Sequence, residues 1–164
     1  MRFTFITALA AAAAAVSGVS AVPFASSKPE QIRSDQDPVF HFYLQAHPKN
    51  ASQVVLGPEA TSEYFTIGGS IQSTNTSRYL NIGGDSTSYK TLTLDAAAST
   101  TAWQLEGDTI ITSTASTYGR PVELNFLVCK IDGGFWQVYL QTGSATPSGK
   151  TCSNYQSLHL PCLC

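Results

Sequence analysis

Three histidines, His41, His47 and His159, are the side chains of this chain best suited to acid–base chemistry near neutral pH. His41 lies in an aromatic stretch, His47 precedes a proline, and His159 stands between two leucines. No G-x-S-x-G motif accompanies them, and their wide separation does not match a metal-binding motif. We therefore interpret each histidine as a surface or hydrogen-bonded strand residue, and we predict neither a metal site nor a bound cofactor.

The carboxylates and the paired glycines give no stronger indication of catalysis. Glu106 and Asp108 flank a glycine, which is typical of a hairpin tip. A glycosidase needs two carboxyl groups about 5–10 Å apart, one of them an acid with a raised pKa. Gly68-Gly69 and Gly83-Gly84 lack the helix and the Lys-Ser/Thr pair of a phosphate-binding loop. We therefore expect a protein that is not an enzyme.

All four cysteines, Cys129, Cys152, Cys162 and Cys164, lie near the C-terminus. In a secreted chain this even number predicts two disulfides. Because only Leu163 separates Cys162 from Cys164, we expect these two to pair outward, with Cys129 and Cys152 in an order that the sequence leaves open. Zinc is the rival interpretation, but C-x-C differs from the usual spacing of zinc ligands.

Aromatic side chains are the remaining candidates for ligand contact, since their apolar faces can stack on sugar rings. Trp103 and Trp136 open predicted strands, where burial in the core is the competing location. Tyr118 lies among turn-forming residues, and the neighbouring Arg120 can donate to a hydroxyl or a carboxylate. These four residues are the predicted ligand-binding candidates.

Short strands must position these side chains. Runs rich in β-branched and aromatic residues recur about every ten residues, with Gly, Pro, Asn, Asp or Ser between them. The clearest local prediction is a hairpin of 124–130 and 135–141 around Asp132-Gly133, a dipeptide that suits a tight turn. Strands are predicted at 39–44, 53–56, 64–67, 79–82, 91–94, 102–105, 109–112, 122–128, 135–140 and 155–160. The chain is therefore expected to be all-β.

Two internal echoes suggest a repeated architecture. The sequence YFTIGG at 64–69 recurs as YLNIGG at 79–84, and AWQL at 102–105 is echoed by FWQV at 135–138. Such repetition suggests three related units of about forty residues, beginning near Val39, Tyr79 and Val122. We therefore predict a β-trefoil or another closed barrel, with a β-sandwich as the alternative.

Two family resemblances extend this interpretation. YLNI at 79–82 followed by WQLEGDTI at 103–110 is similar to a ricin-B-type lectin repeat, although the Q-x-W of that family is absent. The chain as a whole resembles small secreted proteins of fungi, among them the cell-wall proteins linked to phialide and spore formation, some of which bind IgE. This second resemblance is carried by Phe40-x-Phe42-x-Leu44-x-Ala46, the N-terminal leader and the cysteine-containing end. It implies a non-enzymatic role at a wall or cell surface.

The N-terminal residues predict export. Arg2 precedes an apolar run over 3–16, and Val19-Ser20-Ala21 fits signal-peptidase cleavage after Ala21. The run is shorter than the ~20 apolar residues that span a membrane, so we expect no membrane anchor. Residues 22–38 contain two internal prolines and scattered charges, which predicts a flexible leader. The single folded domain is expected over 39–164.

Two sequons, at Asn50 and Asn75, fit an exported glycoprotein. The net charge of −2 offers no basis for binding nucleic acid or an anionic membrane. We expect a secreted, non-catalytic domain of the extracellular space or cell wall, whose partner is an extracellular polysaccharide or another wall component. The alternative is a secreted effector or protease-inhibitor-like protein that binds a secreted or host protein through loops 113–121 or 142–149.

Overall fold

Antiparallel strands form nearly all of the regular structure. The computed structural model describes residues 26–113, 116–118 and 126–161. Within these ranges, the only helical elements are two short 3₁₀ turns, Glu59–Thr61 and Asp132–Gly134, and no helix there is long and apolar enough to cross a membrane. The predicted all-β class is confirmed. The strands are β1 (Ser26–Glu30), β2 (Tyr43–His47), β3 (Asn50–Gly57), β4 (Phe65–Ile67), β5 (Ile71–Ser73), β6 (Tyr79–Ile82), β7 (Tyr89–Asp95), β8 (Trp103–Glu106), β9 (Thr109–Thr112), β10 (Phe126–Lys130), β11 (Trp136–Gln141) and β12 (Cys152–Gln156).

Three hairpins, β2–β3, β6–β7 and β10–β11, meet at the centre of the large sheet. One strand of each hairpin pairs with the other two hairpins. Gln53 on β3 lies opposite Thr93 on β7, Gln137 on β11 lies opposite Val55 on β3, and β11 also pairs with β7. This mutual pairing brings side chains of all three hairpins to a common surface.

The other strands extend the sheet and connect it to a second, smaller one. β1 pairs with β4, β4 with β5, β5 with β6, and β12 with β10, while β8 and β9 form a two-stranded sheet. Isolated backbone bridges join Arg33 to Tyr43 and to His159, and His159 to Thr109. The N–H of Trp103 donates to the carbonyl of Gly69 at 3.0 Å. These contacts connect the two sheets, although no closed barrel of paired strands is detected in the described residues.

The core is built from strand residues, and the strands differ in how much of them is buried. Buried and partly exposed residues alternate along β4 and β5, whereas Phe126–Cys129 of β10 are buried one after another. Trp103 at the centre of the core is fully buried, stacks on Phe126 with ring centroids 6.5 Å apart, and donates its indole N–H to the Leu80 carbonyl at 2.9 Å. Aliphatic side chains of the other strands complete this cluster, including Leu44, Val54, Leu56, Ile67, Ile71, Leu92, Leu94, Ile110, Val128, Val138 and Leu140. One hydrophobic cluster therefore holds both sheets together.

The structure corrects the predicted start of the fold. β1 pairs with β4, so the segment before Val39 is part of the sheet. Ile32 is fully buried, and its carbonyl accepts the Leu44 N–H at 2.8 Å. An isolated Ile among polar residues has no periodicity, which is why the sequence pattern missed it. Residues 22–25 and the predicted signal peptide, 1–21, lie outside the described residues.

The predicted strand over 39–44 is wrong in its first half. Successive turns occupy this stretch, since the Val39 N–H bonds to the Gln36 carbonyl and the Phe42 N–H to the Val39 carbonyl. His41 has a φ of 57°, and Phe40 is 54% exposed instead of facing the core with Leu44. Local hydrogen bonds therefore override the apolar alternation, and the strand begins at Tyr43.

Most other strand predictions are confirmed within a few residues. The predicted hairpin at Asp132-Gly133 is present as β10–β11, with Gly133 at a φ of 77°. The short strand β5 was not predicted. The last strand ends earlier than predicted, at Gln156, just after Tyr155 adopts a φ of 58°.

The disulfide prediction is corrected in its pairing. Cys129 on β10 and Cys152 on β12 lie directly opposite each other and form a disulfide with one another. The outward pairing was expected because a bond between Cys162 and Cys164 would close a very tight ring. Strand register, however, decides which thiols meet, and it sets Cys129 opposite Cys152. Cys162 and Cys164 lie outside the described residues.

Candidate functional site

The structure does not gather the predicted ligand-binding residues into one site. Trp103 is fully buried, so its prediction as a sugar platform is wrong: the packing that encloses it leaves no face for a ligand. Trp136 and Tyr118 are partly buried and pack against the same core. Arg120 lies outside the described residues.

The candidate site is instead a groove between two hairpin turns. It has a volume of about 440 Å³ and lies between the β2–β3 turn and the β10–β11 turn. The pairing of β3 with β11 places the start of β11 beside the end of β3, and the Phe135 ring contacts the ring of His47 from there. The lining residues are His47, Pro48, Lys49, Gln53, Ile131, Asp132, Gly133, Phe135, Gln137 and Lys150.

An aromatic pair forms one wall of the groove. The rings of His47 and Phe135 meet edge to face, with centroids 5.3 Å apart. Phe135 also packs over Gly57, where an added Cβ would lie 2.5 Å from the ring. Only glycine leaves room for the ring at this point. The lack of a side chain at Gly57 therefore allows the Phe135 ring to occupy its position in the groove.

Lys150 is held in a defined position at the same groove. Its Nζ donates to Gln137 Oε1 at 3.0 Å and to the Tyr139 hydroxyl at 3.1 Å. It also lies 5.7 Å from the centroid of the Tyr139 ring, a favourable cation–π distance. Three contacts with uncharged groups thus orient the ammonium, and no ion pair with another described residue neutralises its charge.

A second, shallower hollow of about 250 Å³ continues the groove across the meeting point of the three hairpins. Gln53 and Gln137 line both cavities. The hollow adds the side chains of Asn50, Ser52, Thr91, Leu92 and Thr93. Amide and hydroxyl groups therefore give this continuous surface both hydrogen-bond donors and acceptors.

This surface is suited to binding a polar, hydroxyl-rich molecule. The described residues contain no group of three His, Cys, Asp or Glu side chains that could hold a metal ion.

Sequence reasoning missed the site because its residues come from separate hairpins. The Pro48-Lys49 and Asp132-Gly133 turns were visible as turns, but their proximity depends on strand pairing.

His159 belongs to a separate polar network that the sequence did not reveal. Its Nε2 lies 2.7 Å from Ser157 Oγ and 3.5 Å from Asp35 Oδ2. Its Nδ1 lies 3.4 Å from Asp108 Oδ1 and 3.2 Å from Thr109 Oγ1. The order hydroxyl–imidazole–carboxylate resembles the arrangement that activates a serine nucleophile.

The hydrogen bonding and the burial of Ser157 do not fit that role. The Ser157 hydroxyl donates to Asp35 Oδ1 at 3.1 Å, so its proton is not directed at His159 Nε2. A general base would have to accept that proton on Nε2. Ser157 is also only 4% exposed. We therefore interpret the network as a structural connection between three chain segments.

Both predicted sequons are exposed at the surface. Asn50 Oδ1 accepts the Ser52 N–H at 3.2 Å, and Asn75 Oδ1 accepts the Tyr64 N–H at 2.9 Å. Both hydrogen bonds use the carboxamide oxygen and not Nδ2, the atom to which a glycan is attached. Of the two, only Asn50 borders the hollow beside the groove.

Comparison with protein-family models, with curated proteins and with solved structures finds no significant match for this chain.

Proposed function

We propose that this protein is a secreted, non-catalytic domain that binds carbohydrate of the extracellular matrix or cell wall. The observation that carries the proposal is the groove, where the amides of Gln53 and Gln137 meet Lys150 beside the wall formed by His47 and Phe135. Sugars present hydroxyl groups at the edge of the ring and C–H groups on its face. In one open groove, the polar side chains can bind the hydroxyl groups and the aromatic wall can contact the C–H face.

The N-terminal apolar run and the two sequons support the extracellular part of the proposal. The disulfide between Cys129 and Cys152 is also typical of an oxidising compartment. The orientation of the Ser157 hydroxyl toward Asp35 supports the non-catalytic part.

We further infer that the strands follow the β-trefoil plan. In that plan three hairpins form a triangular cap and six further strands form a barrel. The mutual pairing of β3, β7 and β11 supports the cap. The bridges at Arg33, Thr109 and His159 and the Trp103–Gly69 hydrogen bond support a ring of the remaining segments. The groove would then lie on the cap.

Sedimentation with insoluble polysaccharides tests the binding proposal. Purified protein is incubated with chitin, β-glucan, calcium pectate and isolated fungal walls, at low and high salt, and the bound fraction is measured. We expect retention on at least one of these materials, and weaker retention after Gln53→Ala and Gln137→Ala together. The matched control is Gln72→Ala, because Gln72 lies on β5, away from the groove.

Recovery of the wild-type protein entirely in the supernatant under all of these conditions would contradict carbohydrate binding. Equal losses with Gln72→Ala and with the groove variant would show that the groove is not the binding site.

A further inference from the structure

We propose that the groove selects an acidic saccharide, whose carboxylate or sulfate group is bound by Lys150 and Lys49. This inference rests on the proposed carbohydrate binding and specifies the class of ligand. It starts from the charges around the groove, which are opposite in sign to the charge of the whole chain. The chain carries a net charge of −2, whereas two lysines and one carboxylate, that of Asp132, line the groove.

Lys150 is the more informative of the two cations. Its hydrogen-bond partners, Gln137 and Tyr139, are neutral. Among the described residues, neither Lys150 nor Lys49 has a partner in an ion pair. An ammonium oriented by neutral groups keeps its attraction for an incoming anion.

Lys49 lines the same groove from the β2–β3 turn. Its backbone N–H donates to His47 Nδ1 at 3.2 Å, which fixes the turn while leaving the exposed side chain available. The two lysines thus approach the groove from different segments of the chain.

The rest of the lining favours an anion carried on a sugar. Gln53 and Gln137 offer amide groups to hydroxyls, and the His47–Phe135 wall offers an apolar surface to a ring. An inorganic anion would use neither feature. A uronic acid, or a sulfated sugar, would use the ammonium groups, the amides and the aromatic wall together.

Calorimetric titration with matched oligosaccharides tests this inference. The probes are trigalacturonic acid, its fully methyl-esterified form, a heparin tetrasaccharide and inorganic sulfate. We expect the free acid to bind about tenfold more tightly than its ester, and to weaken as salt is raised. Heparin carries sulfate groups in addition to carboxylates, so its tetrasaccharide shows whether sulfation adds affinity. Inorganic sulfate measures binding of the anion without the sugar.

Variants of the lysines assign the effect to the groove. Lys150→Gln and Lys49→Gln are each expected to weaken binding of the acid about three- to tenfold and to reduce the difference in affinity between the acid and its ester. The matched control is Lys28→Gln, which removes the same charge from β1, at the far end of the sheet order. All three lysines are exposed, so the variants are expected to fold, and circular dichroism checks this.

Equal affinities for the acid and its ester would overturn the acidic preference and leave carbohydrate binding intact. Equal loss with Lys28→Gln would also overturn it, because the effect would then come from overall charge. Binding of inorganic sulfate as tight as that of either acidic oligosaccharide would replace the proposal with simple anion binding. Retention of the protein on no polysaccharide at all would instead refute the proposed function.

Discussion

At the scale of single residues, His159 shows how a short motif just after β12 joins distant segments of the chain. Ser157 and His159 are two residues apart, while Asp35 and Asp108 reach them from the N-terminal segment and from the β8–β9 turn. The Ser157 hydroxyl donates to Asp35, whereas the serine of a catalytic triad donates to its histidine. The contacts of His159 and Ser157 join the three segments.

This connection predicts that substitutions in the network lower the free energy of unfolding. It also predicts that Ser157 does not react as a nucleophile. His159→Ala removes the partner shared by Ser157 and Thr109, so we expect the free energy of unfolding to fall by about 1–3 kcal/mol in urea titrations. Ser157→Ala should cost less, since it removes a single hydroxyl. A fluorophosphonate probe should leave wild-type Ser157 unmodified, as measured by intact mass. Labelling that disappears in Ser157→Ala would contradict the non-catalytic interpretation.

At the scale of elements, the disulfide stabilises one pair of strands and not the whole sheet. It joins β10 to β12, which also share backbone hydrogen bonds. β3, β6 and β7 are held by pairing and by the core. Loss of the disulfide should therefore weaken the pairing of β12 with β10 more than the pairing of the other strands.

The double variant Cys129→Ala/Cys152→Ala tests this expectation. The two residues are 23 positions apart, and the chain-entropy model gives a loop of this size about 3 kcal/mol of stabilisation. We expect a loss of that order in denaturant titrations. We also expect amide hydrogen exchange to increase more in β10 and β12 than in β6 and β7, relative to the wild-type protein. An equal increase in exchange throughout the sheet would contradict a local role.

At the scale of the whole molecule, the two sequons differ in what surrounds them. Asn50 lines the hollow that continues the groove, whereas Asn75 lies in the loop between β5 and β6 and contacts Tyr64. A glycan on Asn50 would therefore occupy space beside the proposed ligand site. A glycan on Asn75 would not border it.

This difference predicts that glycosylation at one sequon controls access to the groove. In protein from a glycosylating host, Asn50→Gln is expected to strengthen binding of acidic oligosaccharide severalfold, because the adjacent glycan is lost. Asn75→Gln is the matched control and should leave binding unchanged. Mass spectrometry establishes occupancy, and calorimetry measures affinity. Equal effects of the two substitutions would show that the glycan on Asn50 does not restrict the groove.

The sequence by itself determined the local elements of this protein. Alternating apolar residues and turn-forming dipeptides located most strands and the β10–β11 hairpin, because strand alternation and turn conformation depend on near neighbours. The all-β class followed directly. The signal peptide remains a prediction, since its pattern is also local but lies outside the described residues.

The tertiary structure decided which of these elements meet. Burial of Ile32 and Trp103, pairing of Cys129 with Cys152, and convergence of Lys49 with Lys150 at one groove each depend on contacts between distant segments. Strand order and register set those contacts, and a shift of register by one residue would turn each side chain to the opposite face. Local pattern places a residue on a strand, but only the pairing of strands determines whether that residue joins the core, a disulfide or a binding surface.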